Sequence, residues 1–153
     1  MKIFTLHKKQ KLPISLDEAW AFLCNPANLS KLTPQEMNMK IISGADRPMY
    51  AGQVIQYSVR PIPGFKTQWV SEITQYKDKT YFIDLQLYGP YAFWHHKHFV
   101  HKIEGGVEME DIIDYKVPFG ILGRLLHPVL VKPKLEGIFN YRKEQLEQLF
   151  GTY

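Results

Sequence analysis

The chain has one cysteine among its 153 residues, so no internal disulfide is available and a scaffold built on disulfides is excluded. It has no apolar run approaching the roughly 18 to 20 residues that a membrane-crossing helix needs, which excludes an integral membrane segment of that kind. Among its opening residues Ile3, Phe4 and Leu6 are followed at once by the basic His7, Lys8 and Lys9, far short of a secretory signal core. A cytoplasmic location is the expectation. Charge of one sign is also scarce. A formal net charge of +4 comes from 19 basic and 15 acidic residues scattered along the chain, and nucleic-acid binding gains no support from it. Repeats, low-complexity tracts and linkers are missing too, so residues 1–153 are expected to form one domain. What the chain has in quantity is aromatic surface: three tryptophans, nine tyrosines and nine phenylalanines. Walls for an apolar ligand are one use for so many rings.

The order of elements carries the fold. Residues 2–12 end at Pro13 and suit a first strand. Ser15 and Glu18 form a capping box for a short helix carrying Leu16, Ala19, Trp20 and Leu23, which Asn25-Pro26 ends. A second short helical segment through Leu29 and Leu32 stops at Thr33-Pro34. Strand-like segments follow near 37–44, 53–60, 66–76, 80–88, 93–103 and 107–117, joined by short turns, as in an antiparallel meander. After Pro118 the period changes to about 3.6. Leu135, Ile138, Phe139, Arg142, Leu146 and Leu149 form one stripe of a helix over 134–150, about 25 Å long. Pro128 and Pro133 predict a loop and a kinked short helix at about 120–131 before it. An α+β fold follows, with a curved antiparallel sheet of about seven strands around a long C-terminal helix and residual space as a ligand cavity.

Gly105-Gly106 reads as a two-residue hairpin turn. Val100 then faces Asp111, His98 faces Ile113, His96 faces Tyr115 and Trp94 faces Val117, all on one side of the sheet. His95, Lys97, Phe99, His101, Glu108, Glu110, Asp114 and Lys116 fall on the other side, in water. In the preceding hairpin, one register sets Trp69, Ser71 and Ile73 beside Ile83, Leu85 and Leu87. A shift by one sets Trp69 beside Phe82, Asp84 and Gln86, and sequence leaves both open.

Several strings resemble the START-like, or SRPBCC, superfamily, whose helix-grip fold is shared with the birch-pollen allergen and polyketide cyclases. They are Leu12-Pro13-Ile14-Ser15 with Ala19-Trp20-Ala21-Phe22-Leu23, Asn25-Pro26 and Leu32-Thr33-Pro34. Gly89-Pro90-Tyr91, Trp94, His96, His98, Asp111, Tyr115 and Pro118-Phe119-Gly120-Ile121-Leu122-Gly123 are similar to one bacterial subgroup. The resemblance implies a seven-stranded antiparallel sheet gripping the C-terminal helix around a hydrophobic pocket. It implies no single activity, since carriers of lipids and hormones, cyclases, hydrolases and stress proteins share the fold.

The expected function is binding or transport of a small hydrophobic molecule of lipid, polyketide or aromatic type. The expected ligand-binding residues are Trp69, Asp84, Gln86, Trp94, His96, His98, Asp111, Ile113 and Tyr115 from the sheet and Leu135, Ile138, Phe139 and Arg142 from the helix. The alternative is a cyclase, dehydratase or hydrolase in which His98 acts as base, Asp111 orients it and Tyr115 donates to an oxyanion. A second alternative is an interaction protein with a vestigial pocket, and homodimerisation is left open. No cofactor is expected, and no metal. Strand alternation leaves only His96 and His98 of the four clustered histidines as neighbours on a common face, and a third ligand would have to be Asp111 or a distant residue. Cys24 has no evident activating base. Lys8, Lys9 and Lys11 fit a solvated sheet edge.

Overall fold

A computed structural model describes residues 2–153. Strand β1 (Phe4–Leu12) leads into helix α1 (Leu16–Leu23) and two single 3-10 turns, Pro26–Lys31 and Gln35–Met37. Strands β2 (Lys40–Ser43), β3 (Gln53–Ile62), β4 (Phe65–Lys77), β5 (Tyr81–Tyr88), β6 (Phe93–Ile103) and β7 (Gly106–Lys116) follow. Helix α2 (Gly120–Leu126), a π turn (His127–Val131) and helix α3 (Lys132–Phe150) close the chain. The seven strands form one antiparallel sheet in the order β1-β7-β6-β5-β4-β3-β2. This is a helix-grip α+β fold. The capping box is present, with Ser15 Oγ accepting from the Glu18 N–H at 3.2 Å. The lysine-bearing β1 is an edge strand, and Lys9 pairs with Glu108 at 2.9 Å.

Two expectations are corrected, the first of them only in part. The expected loop lies at 117–119 and the expected short helix is α2, but the run from 120 to 150 then continues as helix with no break at the prolines. The π turn absorbs Pro128. Lys132 N–H donates to the His127 carbonyl five residues back, while Pro133 sits in the first turn of α3, where a missing N–H costs little. Leu149, placed on the stripe by spacing, is half exposed, and the next residue, Phe150, packs against the core in its place. Leu135, Phe139, Arg142 and Leu146 are buried as the stripe requires.

The hairpin before the helix is also offset. Ile103 pairs with Gly106, so the turn is Glu104-Gly105, and Gly105 alone takes the positive φ, +75°. Val100 therefore faces Met109, His98 faces Asp111, His96 faces Ile113 and Trp94 faces Tyr115. The offset from the predicted register is two residues, an even number, so every side chain keeps its predicted face. The reason is the backbone at Gly106. A Cβ there would stand 2.1 Å from the Leu12 carbonyl oxygen, so Gly106 belongs to the strand where β7 runs against the end of β1. The outer face holds the expected charges, with Lys97 on Asp114 at 2.8 Å and His101 on Glu110 at 2.9 Å.

The two glycines thus serve different ends. Gly106→Ala is expected to cost roughly 1–3 kcal/mol or more, since the added methyl meets backbone that cannot yield. Gly105→Ala, with open space but a left-handed φ, is expected to cost about 1–2 kcal/mol. Urea denaturation of the two variants beside the parent chain measures the difference.

Candidate functional site

The concave face of the sheet carries two apolar clusters against α3. One contains Phe82, Val100, Met109 and Leu146, and the other contains Trp94, Ile113, Tyr115, Leu135 and Phe139. Between them on the same three elements lie His96 and His98 of β6, Asp111 of β7 and Arg142 of α3, all buried. Asp84 of β5 completes the group. His96 Nε2 is hydrogen-bonded to Asp111 Oδ1 at 2.9 Å, and His98 Nε2 to Asp84 Oδ2 at 2.8 Å. His98 Nδ1 also stands 2.9 Å from Asp111 Oδ1, near enough for ion pairing, yet lacks a hydrogen bond of proper geometry. Arg142 Nη2 lies 3.4 Å from Asp111 Oδ2, likewise as an ion pair without a hydrogen bond.

The protonation pattern follows from these contacts. Burial, reinforced by the adjacent His98 ring, lowers the His96 pKa to about 4, leaving that imidazole neutral near pH 7. Burial also disfavours the charged form of His98, but the Asp111 and Asp84 carboxylates outweigh it, and its pKa is raised. For Asp111 burial is again the largest influence and pushes upward. Arg142 and the two histidines together overcome it and hold the carboxyl well below its usual range.

A cavity of about 220 Å³ opens beside this group, far above the roughly 30 Å³ share of a single water. Trp69, Asp84, Trp94, His96, His98, Leu135, Ile138, Phe139 and Arg142 are on its wall, as the sequence suggested. Gln86, Asp111, Ile113 and Tyr115 are not, among the residues expected there. Gln86 is turned to the Gly89-Pro90 bend, where its amide donates to Tyr91 O at 2.8 Å and accepts from Tyr91 N. Asp111 stands behind the histidines, Ile113 is sealed in the core, and Tyr115 is bonded to His127 Nε2 at 2.7 Å. Tyr115 is therefore engaged away from His98, and the proposed trio of base, orienting carboxylate and phenol is not assembled.

Sequence reasoning missed the opposite wall. Asn28, Leu29 and Leu32 from the first 3-10 turn and its end, Met37, Met39 and Met49, and Tyr57 of β3 also line the cavity. Three flexible thioethers make an adaptable surface. These residues lie in loops and single turns whose facing has no period to read. Phe82 and Asp84 face inward because β5 sets them opposite His98 and His96 of β6, and a bulge at Thr74 of β4 then brings Ile73 opposite Asp84 on the same face. This realises the second of the two registers left open by the sequence.

Asp84, His96 and His98 each offer a donor atom, all within 4.8 Å of one another, a set that suits zinc or ferrous iron. The third donor is Asp84 of the neighbouring strand rather than Asp111. A metal held by all three would replace the hydrogen bond between Asp84 and His98. Cys24, at the end of α1, has its thiol pKa pushed up to about 12 by burial, with Asp78 adding to the effect.

No protein-family model matches the chain, and none of the curated proteins matches it by sequence. Solved structures do. The aromatase/cyclase ZhuI from Streptomyces sp. R1128 aligns with a TM-score of 0.70 at 12% identity, over 96% of this chain and 95% of its own. Protein CV1439 from Chromobacterium violaceum gives 0.71 at 12% identity, over 97% and 99%. A norcoclaurine synthase point mutant from Thalictrum flavum, in complex with a transition-state analogue, gives 0.65 at 12%, over 97% and 96%.

Two outcomes are expected from this geometry. Asp111→Ala leaves Arg142 buried without its counter-charge and is expected to cost about 3–5 kcal/mol in urea denaturation. The parent chain, whose Asp111 pKa is depressed on folding, keeps that carboxylate's contribution above pH about 4 and loses it as pH falls through the lower folded value. Asp111→Asn should flatten this acid limb. Cys24 is expected to react with iodoacetamide at pH 8 on the order of a hundredfold more slowly in the folded than in the denatured chain, followed by mass spectrometry.

At these identities the likeness speaks for architecture alone, and the architecture it shows is the helix-grip fold, a seven-stranded antiparallel sheet closed by a long C-terminal helix.

Proposed function

We propose that the protein binds a small hydrophobic molecule between its sheet and α3, and acts as a carrier. The cavity itself carries the reading: an apolar space of about 220 Å³ bounded on one side by Asp84, His96, His98 and Arg142. Apolar walls supply affinity at about 25 cal/mol per Å² buried, and the few polar groups supply orientation. A ligand with a single oxygen or carboxylate on a flat or branched hydrocarbon body suits this wall. Arg142, whose Nη2 has no hydrogen-bond partner, is the donor available to that oxygen, since both nitrogens of His98 already face carboxylates.

The enzymatic reading is favoured by one observation, the hydrogen-bonded pair of His98 and Asp84 on the cavity wall. The neighbours named an aromatase/cyclase and a norcoclaurine synthase are consistent with chemistry in such a cavity. Against it, His98 is clamped between two carboxylates that favour its protonated form and face both of its nitrogens, which does not suit a base.

Native mass spectrometry of the purified chain is expected to show a co-purifying apolar molecule, or uptake of an added fluorescent apolar probe such as anilinonaphthalene sulfonate. Ile138→Trp, which fills the space from the helix side, is expected to weaken probe binding roughly tenfold or more, a change of about 1.4 kcal/mol or more. Arg142→Met should keep apolar binding and lose preference for ligands carrying an oxygen acceptor. A parent chain that holds neither a co-purified molecule nor the probe overturns the carrier reading.

A further inference from the structure

The run from Phe119 to Leu130 is amphipathic in the reverse of the usual sense. Its inner side is Gly123 and His127, both buried, the first against Pro118 and the second against Tyr115. Its outer side repeats apolar pairs every four residues: Ile121 and Leu122, Leu125 and Leu126, Val129 and Leu130, all exposed. Phe119, ahead of the first pair, is 81% exposed and held at φ +64°, a conformation that bulky side chains avoid. Scattered exposed leucines need no explanation, but a continuous apolar face on one helical run does.

The charge around that face says what covers it. From Val117 to Leu135 the chain has no acidic residue, while Arg124, Lys132 and Lys134 lie along the run. An apolar stripe with cations beside it is the pattern of a helix that lies in the headgroup region of an anionic bilayer, its hydrocarbon side sunk among the acyl chains. A second copy of the chain fits less well, since a two-fold contact through this face would set these cations against their own images. We propose that the outer face of α2 and the π turn docks the protein onto an anionic lipid surface. The run continues directly into Lys134 and Leu135, which line the cavity, so docking would bring that end of the cavity to the bilayer. The docking itself does not rest on the carrier reading.

Vesicle flotation of the full chain tests this, with phosphatidylcholine vesicles made with and without phosphatidylglycerol, at low and high salt. Binding is expected to the vesicles containing phosphatidylglycerol and to weaken with salt. Leu125→Asp is expected to lower it roughly tenfold or more. The double variant Arg124→Glu, Lys132→Glu should lower it by a similar factor, and it decides the matter if Leu125→Asp fails to fold. The proposal is overturned if the parent chain floats with neither vesicle, or equally with both, or if a natively folded Leu125→Asp floats as well as the parent. It is also overturned if the chain instead forms a dimer that Leu125→Asp dissociates. Uptake of the fluorescent probe by Leu125→Asp should match the parent, so failure of docking and failure of the cavity reading remain distinguishable.

Discussion

Arg142 reaching from α3 to Asp111 is the contact on which the interior depends. Two imidazoles and two carboxylates on the concave face of the sheet cannot be covered by hydrocarbon without a large desolvation cost. The guanidinium lets the helix cross that polar row and pack apolar clusters on either side of it, with Phe139 above and Leu146 below. One consequence is that the interior is divided. The other is that the helix cannot settle fully onto the sheet beside the histidines, and space is left there.

That space inherits its character from the row. His96 is driven neutral by burial, while His98 is drawn toward its charged form by its carboxylate neighbours, so two rings with centroids 3.6 Å apart have opposite tendencies. The thioethers of Met37, Met39 and Met49 across the cavity impose far less shape than the rings of Trp69 and Trp94. Orientation is therefore set from the sheet side and accommodation from the loop side.

Much of the site was legible because strand alternation has a period of two. The inward facing of Trp94, His96, His98 and Asp111 survived a misplaced turn, since the error was an even number of residues. Asp84 was legible only as one of two registers, and neither its pairing with His96 nor the bulge at Thr74 that brings Ile73 to the same face leaves a mark in composition. Tyr115 shares the inward face but finds His127, a partner on the helical run whose position depends on how Pro128 is accommodated.

The sequence by itself determined the succession of strands and helices, the buried stripe of α3 and the segregation of charge to the outer sheet face. Each of these follows from local periodicity, caps and turn residues. The tertiary structure alone decided which inward groups meet, that the prolines before α3 are passed by a π turn, and that α2 presents its leucines outward. These depend on contacts that no local period encodes, such as the backbone of Gly106 against that of Leu12, far away in sequence, where the close approach of two strands sets the register of everything attached to them.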